Sequence, residues 1–110
     1  VCVDWSAARS RVLEDEDLLR EVVDAFLSEA EVLAVDLSKA LTSADSRTVS
    51  RLAHTLKSNL RTFGVPMADS LQAIEFAAKA GDLEPVKSLW PTVRPNITLV
   101  VEQMKAYLAK

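Results

Sequence analysis

The sequence predicts an all-α protein: an antiparallel four-helix bundle with a short additional N-terminal helix and a last helix kinked or broken by proline. Three observations point there. Apolar residues recur at spacings of three and four through four long stretches, which is the period of one helix face. Alternation of polar and apolar positions never persists long enough to mark a strand. The two glycines, Gly64 and Gly81, each fall just past the end of an apolar stripe, where a left-handed residue stops a helix.

Within residues 1–11, Asp4 is a fair N-cap, and Trp5, Ala8 and Val12 share one side of a short helix. A tryptophan so near a terminus commonly lids the end of a bundle. Residues 15–41 form the clearest helix, with Leu19, Val22, Val23, Phe26, Ala30, Leu33, Leu37 and Leu41 as its seam. Asp15, Glu16 and Asp17 crowd its start, where the helix dipole favours negative charge. Glu21, Asp24, Glu29, Glu31 and Asp36 mark its solvated face, and no His or Cys joins them to suggest a transition metal.

Residues 42–46 read as a turn, with Asp45 or Ser46 capping a helix that runs to Phe63. Pro66 suits the first turn of the next helix, whose stripe is Met67, Leu71, Ile74 and Ala78. The short connection at 64–66 implies that these two helices are antiparallel neighbours. Asp82 caps the last segment, Pro85 falls in its first turn, and Val86, Leu89, Trp90, Val93, Ile97, Val100, Val101, Met104 and Leu108 supply its apolar face. Pro91 and Pro95 each lack an N–H and crowd the preceding turn, which predicts a break or kink between about Leu89 and Asn96.

At 110 residues and 12.1 kDa the chain is long enough for one domain with a single core. A net charge of −3 argues against a strongly basic nucleic-acid binder. The charge is uneven: residues 43–66 hold Arg47, Arg51, Lys57 and Arg61 against Asp45, a local +3 that leaves −6 elsewhere. The single cysteine, Cys2, excludes an intramolecular disulfide and agrees with a reducing compartment. No apolar run approaches the ~20 residues of a membrane span, and no signal peptide is visible. A start at Val1 without Met suggests a segment excised from a longer chain.

The chemistry concentrates in residues 50–65. Val49, Leu52, Leu56, Leu60 and Phe63 make one apolar stripe at about 100° per residue, and His54, the only histidine, falls nearly opposite. Ser50, Arg47, Ser58 and Arg61 share its outward arc, with Lys57 one turn further on. A histidine on a rigid helix among cations and small residues is placed to hold an anion, and imidazole is a nucleophile at neutral pH. Accepting a phosphoryl group and merely decorating a solvated basic face are both open on these grounds.

The run His54-Thr-Leu-Lys57-Ser-Asn-Leu-Arg-Thr-Phe-Gly64-Val65 resembles the signature of histidine-containing phosphotransfer (HPt) domains. Asp15-Glu-Asp-Leu-Leu, Phe26-Leu, Ile74-Glu75 and Ala80-Gly-Asp are similar to other recurrent positions of that family. Ser58 stands where the family usually has Gly. Glu75 aligns roughly with a Glu or Gln position that can lie near the family's histidine, across a connection one residue short.

The resemblance implies a phosphorelay intermediate. His54 accepts a phosphoryl group from the aspartyl phosphate of a response-regulator receiver domain and passes it to another receiver. Lys57 stabilises phosphoryl charge as a mobile cation, Gly64 is structural at the motif, and Ser58, Arg61, Ser50 and Trp5 face the docking partner. The domain needs no cofactor or ATP site of its own, and Mg²⁺ comes from the receiver's acidic pocket. Other implied partners and settings are a parent hybrid histidine kinase and the cytoplasm, with no nucleic acid and no membrane contact. A phosphocarrier of this kind is not an enzyme in its own right.

Three alternatives compete with this reading. A receiver-binding scaffold that no longer relays is compatible with Ser58. A kinase dimerisation segment would place an acid directly after the histidine, where Thr55 stands here. A metal-dependent or hydrolytic enzyme would need more than one histidine with no paired nucleophile.

Overall fold

The computed structural model describes residues 3–109, and Cys2, on which the reducing-compartment expectation rests, lies outside them. Five helices follow in order: α1 (Trp5–Arg11), α2 (Glu16–Thr42), α3 (Ser46–Thr62), α4 (Ala68–Lys79) and α5 (Glu84–Leu108). No strand occurs among the described residues. Packing runs α2 on α3, α3 on α4, α4 on α5 and α5 back on α2, which closes a four-helix ring, with α1 laid against α2 and α3. The 27 residues of α2 at 1.5 Å each give about 40 Å, so this one helix sets the 41 Å long axis of the molecule.

Asp4 caps α1 as expected, Asp45 and not Ser46 caps α3, and Asp15, read only as one of the acids at the start of α2, is its cap. Asp4 Oδ1 accepts from Ala7 N–H, Asp15 Oδ1 from Leu18 N–H, and Asp45 Oδ1 from Thr48 N–H, each relieving an otherwise unpaired donor of a first turn. The core gathers the seams read from the sequence: Leu19, Val23, Phe26 and Leu37 of α2 meet Val49, Leu56 and Leu60 of α3, Leu71 and Ile74 of α4, and Ile97, Val100 and Met104 of α5. Ala34, Ala40 and Tyr107 join them, while Val22, Leu33, Leu41, Leu89 and Leu108 pack only partly buried at the edge.

Three local expectations are corrected. Pro66 precedes α4 in the connecting turn, because Val65 and Met67 both dip into the core before the helix begins at Ala68. The cap of α5 is Leu83, while the Asp82 carboxylate accepts from Glu84 N–H one residue early. The prolines do not break α5, which is continuous from Glu84 to Leu108 with Pro91 and Pro95 inside it. Both lie one turn apart on the exposed face, so the carbonyls that lose a partner look outward to water. Trp90, Val93 and Ile97 hold the opposite face in the core, and Trp90 Nε1 donates to Ser38 Oγ of α2 at 2.9 Å.

Gly64 ends α3 with φ +65°. A side chain there would also collide, since its Cβ would lie 2.7 Å from Asp4 Cβ. Asp4 N–H donates to Phe63 O at 2.8 Å, so the close approach that glycine permits seats α1 on the end of α3. Trp5 then stacks on Tyr107 with ring centroids 4.2 Å apart and meets Phe63 edge-on at 6.3 Å. It serves as the expected lid over this end of the bundle.

Candidate functional site

The middle of α3 is held firmly because Val49, Leu52, Leu56 and Leu60, with Phe63 at its C-cap, are buried in the ring. That burial turns His54 outward, with 59% of its side chain exposed. Glu75 of α4, 12% exposed, lies across the α3–α4 groove and bridges two residues of α3. Its Oε2 stands 3.1 Å from His54 Nδ1 and its Oε1 2.7 Å from Lys57 Nζ.

This arrangement brings Glu75 beside His54, as its alignment with the family position implied, and corrects the all-cationic surroundings expected for His54 and the mobile Lys57. A carboxylate, supplied by the neighbouring helix, is the charged group in contact with the imidazole. Lys57 is the one buried charged residue among those described, 7% exposed, and is tethered by an ion pair instead of ranging freely over the surface. Burial pushes the Glu75 carboxyl up, but hydrogen bonds from Lys57 and His54, together with their charge, outweigh it and hold the group below the usual glutamate value.

An ionised carboxylate only accepts, so Nδ1 of His54 carries the proton of that contact. The lone pair of the neutral ring is then on Nε2, on the side of the ring away from Glu75. The tautomer is set by the partner of the other nitrogen, as it is for a metal-bound histidine held by a carboxylate.

The remaining expected residues divide along α3. Ser58 is exposed one turn beyond His54, and its carbonyl accepts from Thr62 Oγ1 at 3.3 Å. Arg61 is exposed a turn further and donates from Nη2 to Gln72 Oε1 of α4 at 2.7 Å. Ser50, half-buried, lies one turn before His54. Trp5 is not brought to the histidine: it packs on Phe63, nine residues along α3 and therefore about 13 Å away along the axis. Gln72 escaped the sequence reading altogether. Its only available signal was the i, i+3 spacing with Glu75 on α4.

Among the described residues no group of three or more His, Cys, Asp or Glu side chains is placed to hold a metal ion. No described helix is long and apolar enough to cross a membrane.

A four-helix bundle that steadies one outward histidine through a carboxylate of the next helix has the form of a phosphotransfer domain. The Hpt domain family model matches residues 21–108, and the chain belongs to that family, whose members act as phosphocarriers in phosphorelays. In fold the chain is similar to the crystal structure of histidine-containing phosphotransfer protein B (HptB) from Pseudomonas aeruginosa PAO1. The two are 22% identical, the match covers 97% of this chain and 94% of that one, and the TM-score is 0.85. No curated protein sequence matches the chain.

Proposed function

We propose that His54 is the phosphoryl acceptor of a relay between receiver domains, with Nε2 as the nucleophile. The observation that carries this reading is the 3.1 Å contact of Nδ1 with Glu75 on an exposed ring, which in the neutral imidazole puts the lone pair on Nε2, away from Glu75. Nε2 attacks the phosphorus of a receiver's aspartyl phosphate. The P–O bond to the aspartyl carboxyl breaks as the N–P bond forms, and the receiver's carboxylate leaves. The Nδ1 proton stays in contact with Glu75, which offsets the positive charge that the ring acquires. Transfer onward to a second receiver is the same step reversed.

In this scheme Lys57 is a positioning residue that acts through Glu75: its ammonium fixes one carboxylate oxygen so that the other holds the imidazole. It touches the phosphoryl oxygens only by giving up that ion pair. Because both Glu75 oxygens are engaged, the divalent cation of the chemistry is assigned to the receiver's acidic pocket. The exchange takes place in the cytoplasm, with this chain either free-standing or part of a hybrid kinase. Small residues around His54, Ser50 and Ser58 among them, let the receiver's loops approach the ring.

The test is to incubate the domain with a phosphorylated receiver and follow label onto it. The expected product is acid-labile and base-stable phosphate, absent from His54→Gln. A labelled His54→Gln variant would place the acceptor elsewhere, and an unlabelled wild type that still binds the receiver would make the chain a non-relaying scaffold.

A further inference from the structure

The α3–α4 groove is a ladder of polar contacts with one anion missing. At one level Arg61 of α3 is matched by Gln72 of α4, and at the next His54 and Lys57 are matched by Glu75. The helices are antiparallel, so one turn further along the groove means going down α3 from His54 and up α4 from Glu75. Arg47, Ser50 and Arg51 of α3 stand there opposite Lys79 of α4. They line a cleft of about 520 Å³ with buried Ala78 at its side.

All three cations of this cleft are exposed, and among the described residues none has a carboxylate within 4 Å. The nearest acid in sequence, Asp45, caps α3 with Oδ1 on Thr48 N–H and Oδ2 on Thr48 Oγ1; the charges of Arg47 and Arg51 help hold its carboxyl below the usual value, although neither forms an ion pair with it. Beyond Gly81, Asp82 and Glu84 line a separate hollow, and Glu84 is paired with Lys87. Like charges therefore face each other across the groove, in a chain whose net charge is −3. With only the capping carboxylate of Asp45 nearby, the cleft keeps an excess of positive charge that favours an acidic group from outside.

Resting on the reading of His54 as acceptor, we propose that this cleft docks an acidic segment of the receiver while the receiver's phosphorylated aspartate lies over His54. Three points favour a protein segment over a small anion. Ser50 is about 6 Å along the axis from His54, a distance one protein surface spans while engaging both. The cations are exposed side chains on an open groove, without an aromatic residue to hold a base or ring. Finally, the small residues Ala78, Ala80 and Gly81 leave room for a partner's side chains. Rim charges of this sort act chiefly on the association rate and its salt dependence.

The experiment compares wild type, the triple variant Arg47→Gln/Arg51→Gln/Lys79→Gln, and the charge-keeping triple variant Arg47→Lys/Arg51→Lys/Lys79→Arg. Each is phosphorylated by phosphoramidate, a small donor that needs no docking, and by phosphorylated receiver domains of the same organism. The neutral variant should accept from phosphoramidate within about twofold of wild type. From the receiver it should be slower by about tenfold or more at low salt, with a flatter dependence of rate on ionic strength. The charge-keeping variant should recover most of the rate. Equal receiver rates for wild type and the neutral variant overturn the proposal. So does inhibition of the wild-type reaction by inorganic phosphate beyond its ionic-strength effect, which would make the cleft a small-anion site. Wild type that accepts from phosphoramidate but from no receiver overturns docking and leaves the acceptor standing. Acceptance from neither donor overturns both.

Discussion

Glu75 is the residue on which the site turns, because one carboxylate holds a buried ammonium and an exposed imidazole at once. Replacing it by alanine leaves Lys57 buried without a counter-charge, and breaking such a pair from one side costs about 3 kcal/mol. Urea titration of Glu75→Ala measures this directly. A loss below about 0.5 kcal/mol would show that Lys57 swings out to water instead. The pH dependence follows from the lowered carboxyl. A depressed acid contributes its full stability above the unfolded-state value of about 4.3 and loses it as pH falls through the lower folded-state value. Wild type should therefore lose its advantage over Glu75→Gln as pH falls below about 4.3, and a gap that stays constant through acid titration contradicts the assignment. His54→Gln, by contrast, alters an exposed side chain and should change stability by no more than about 0.5 kcal/mol in the same titration.

At the scale of elements, two helix stops use the same left-handed backbone with different residues. Gly64 has φ +65° at the end of α3, and Ala44 has φ +57° at the end of α2. In Gly64→Ala the new Cβ meets both the unfavourable φ and the Asp4 side chain. A loss of about 2 kcal/mol is expected, with a change in Trp5 fluorescence as α1 lifts from α3. Ala44→Gly should instead gain about 0.5–1 kcal/mol, since it removes the left-handed cost of a Cβ from an exposed turn. Thermal unfolding of the two variants should move in opposite directions, and a shift of the same sign would refute this account of the stops. In α5, Pro91→Ala restores an N–H to the exposed face of a helix interior. It should stabilise by about 2 kcal/mol, the helix-propensity gain of about 3 kcal/mol less the unfolded-state entropy of up to about 1 kcal/mol that proline removes.

Across the whole molecule, the proposed partner chemistry lies on the groove between α3 and α4, where His54 is exposed. Ser58→Leu places a bulky side chain on that exposed face while leaving the core untouched. It should block exchange with a receiver but leave the unfolding midpoint within a degree or two, about 0.5 kcal/mol or less. Normal exchange by the leucine variant would move the docking surface elsewhere. The bundle was legible because each helix writes its own period: Leu19, Val23, Phe26 and Leu37 had to face one side whatever they met. His54 was legible for the same reason, since the apolar stripe from Val49 to Phe63 leaves the opposite arc of α3 to water. Caps and stops at Asp4, Asp15, Asp45 and Gly64 are local chemistry, and they too were present in the sequence. What the chain alone left undecided was whatever depends on the distance between residues far apart in it. Whether Pro91 and Pro95 break α5 was settled by the face they occupy, because a lost hydrogen bond is tolerable only where water replaces it. The ion pair between Lys57 and Glu75, 18 residues apart, required the register of α4 against α3. That register turns an apparently free lysine into a buried one, orients His54 through a carboxylate of another helix, and sets Lys79 opposite Arg47 and Arg51 with no carboxylate within ion-pair distance of the three.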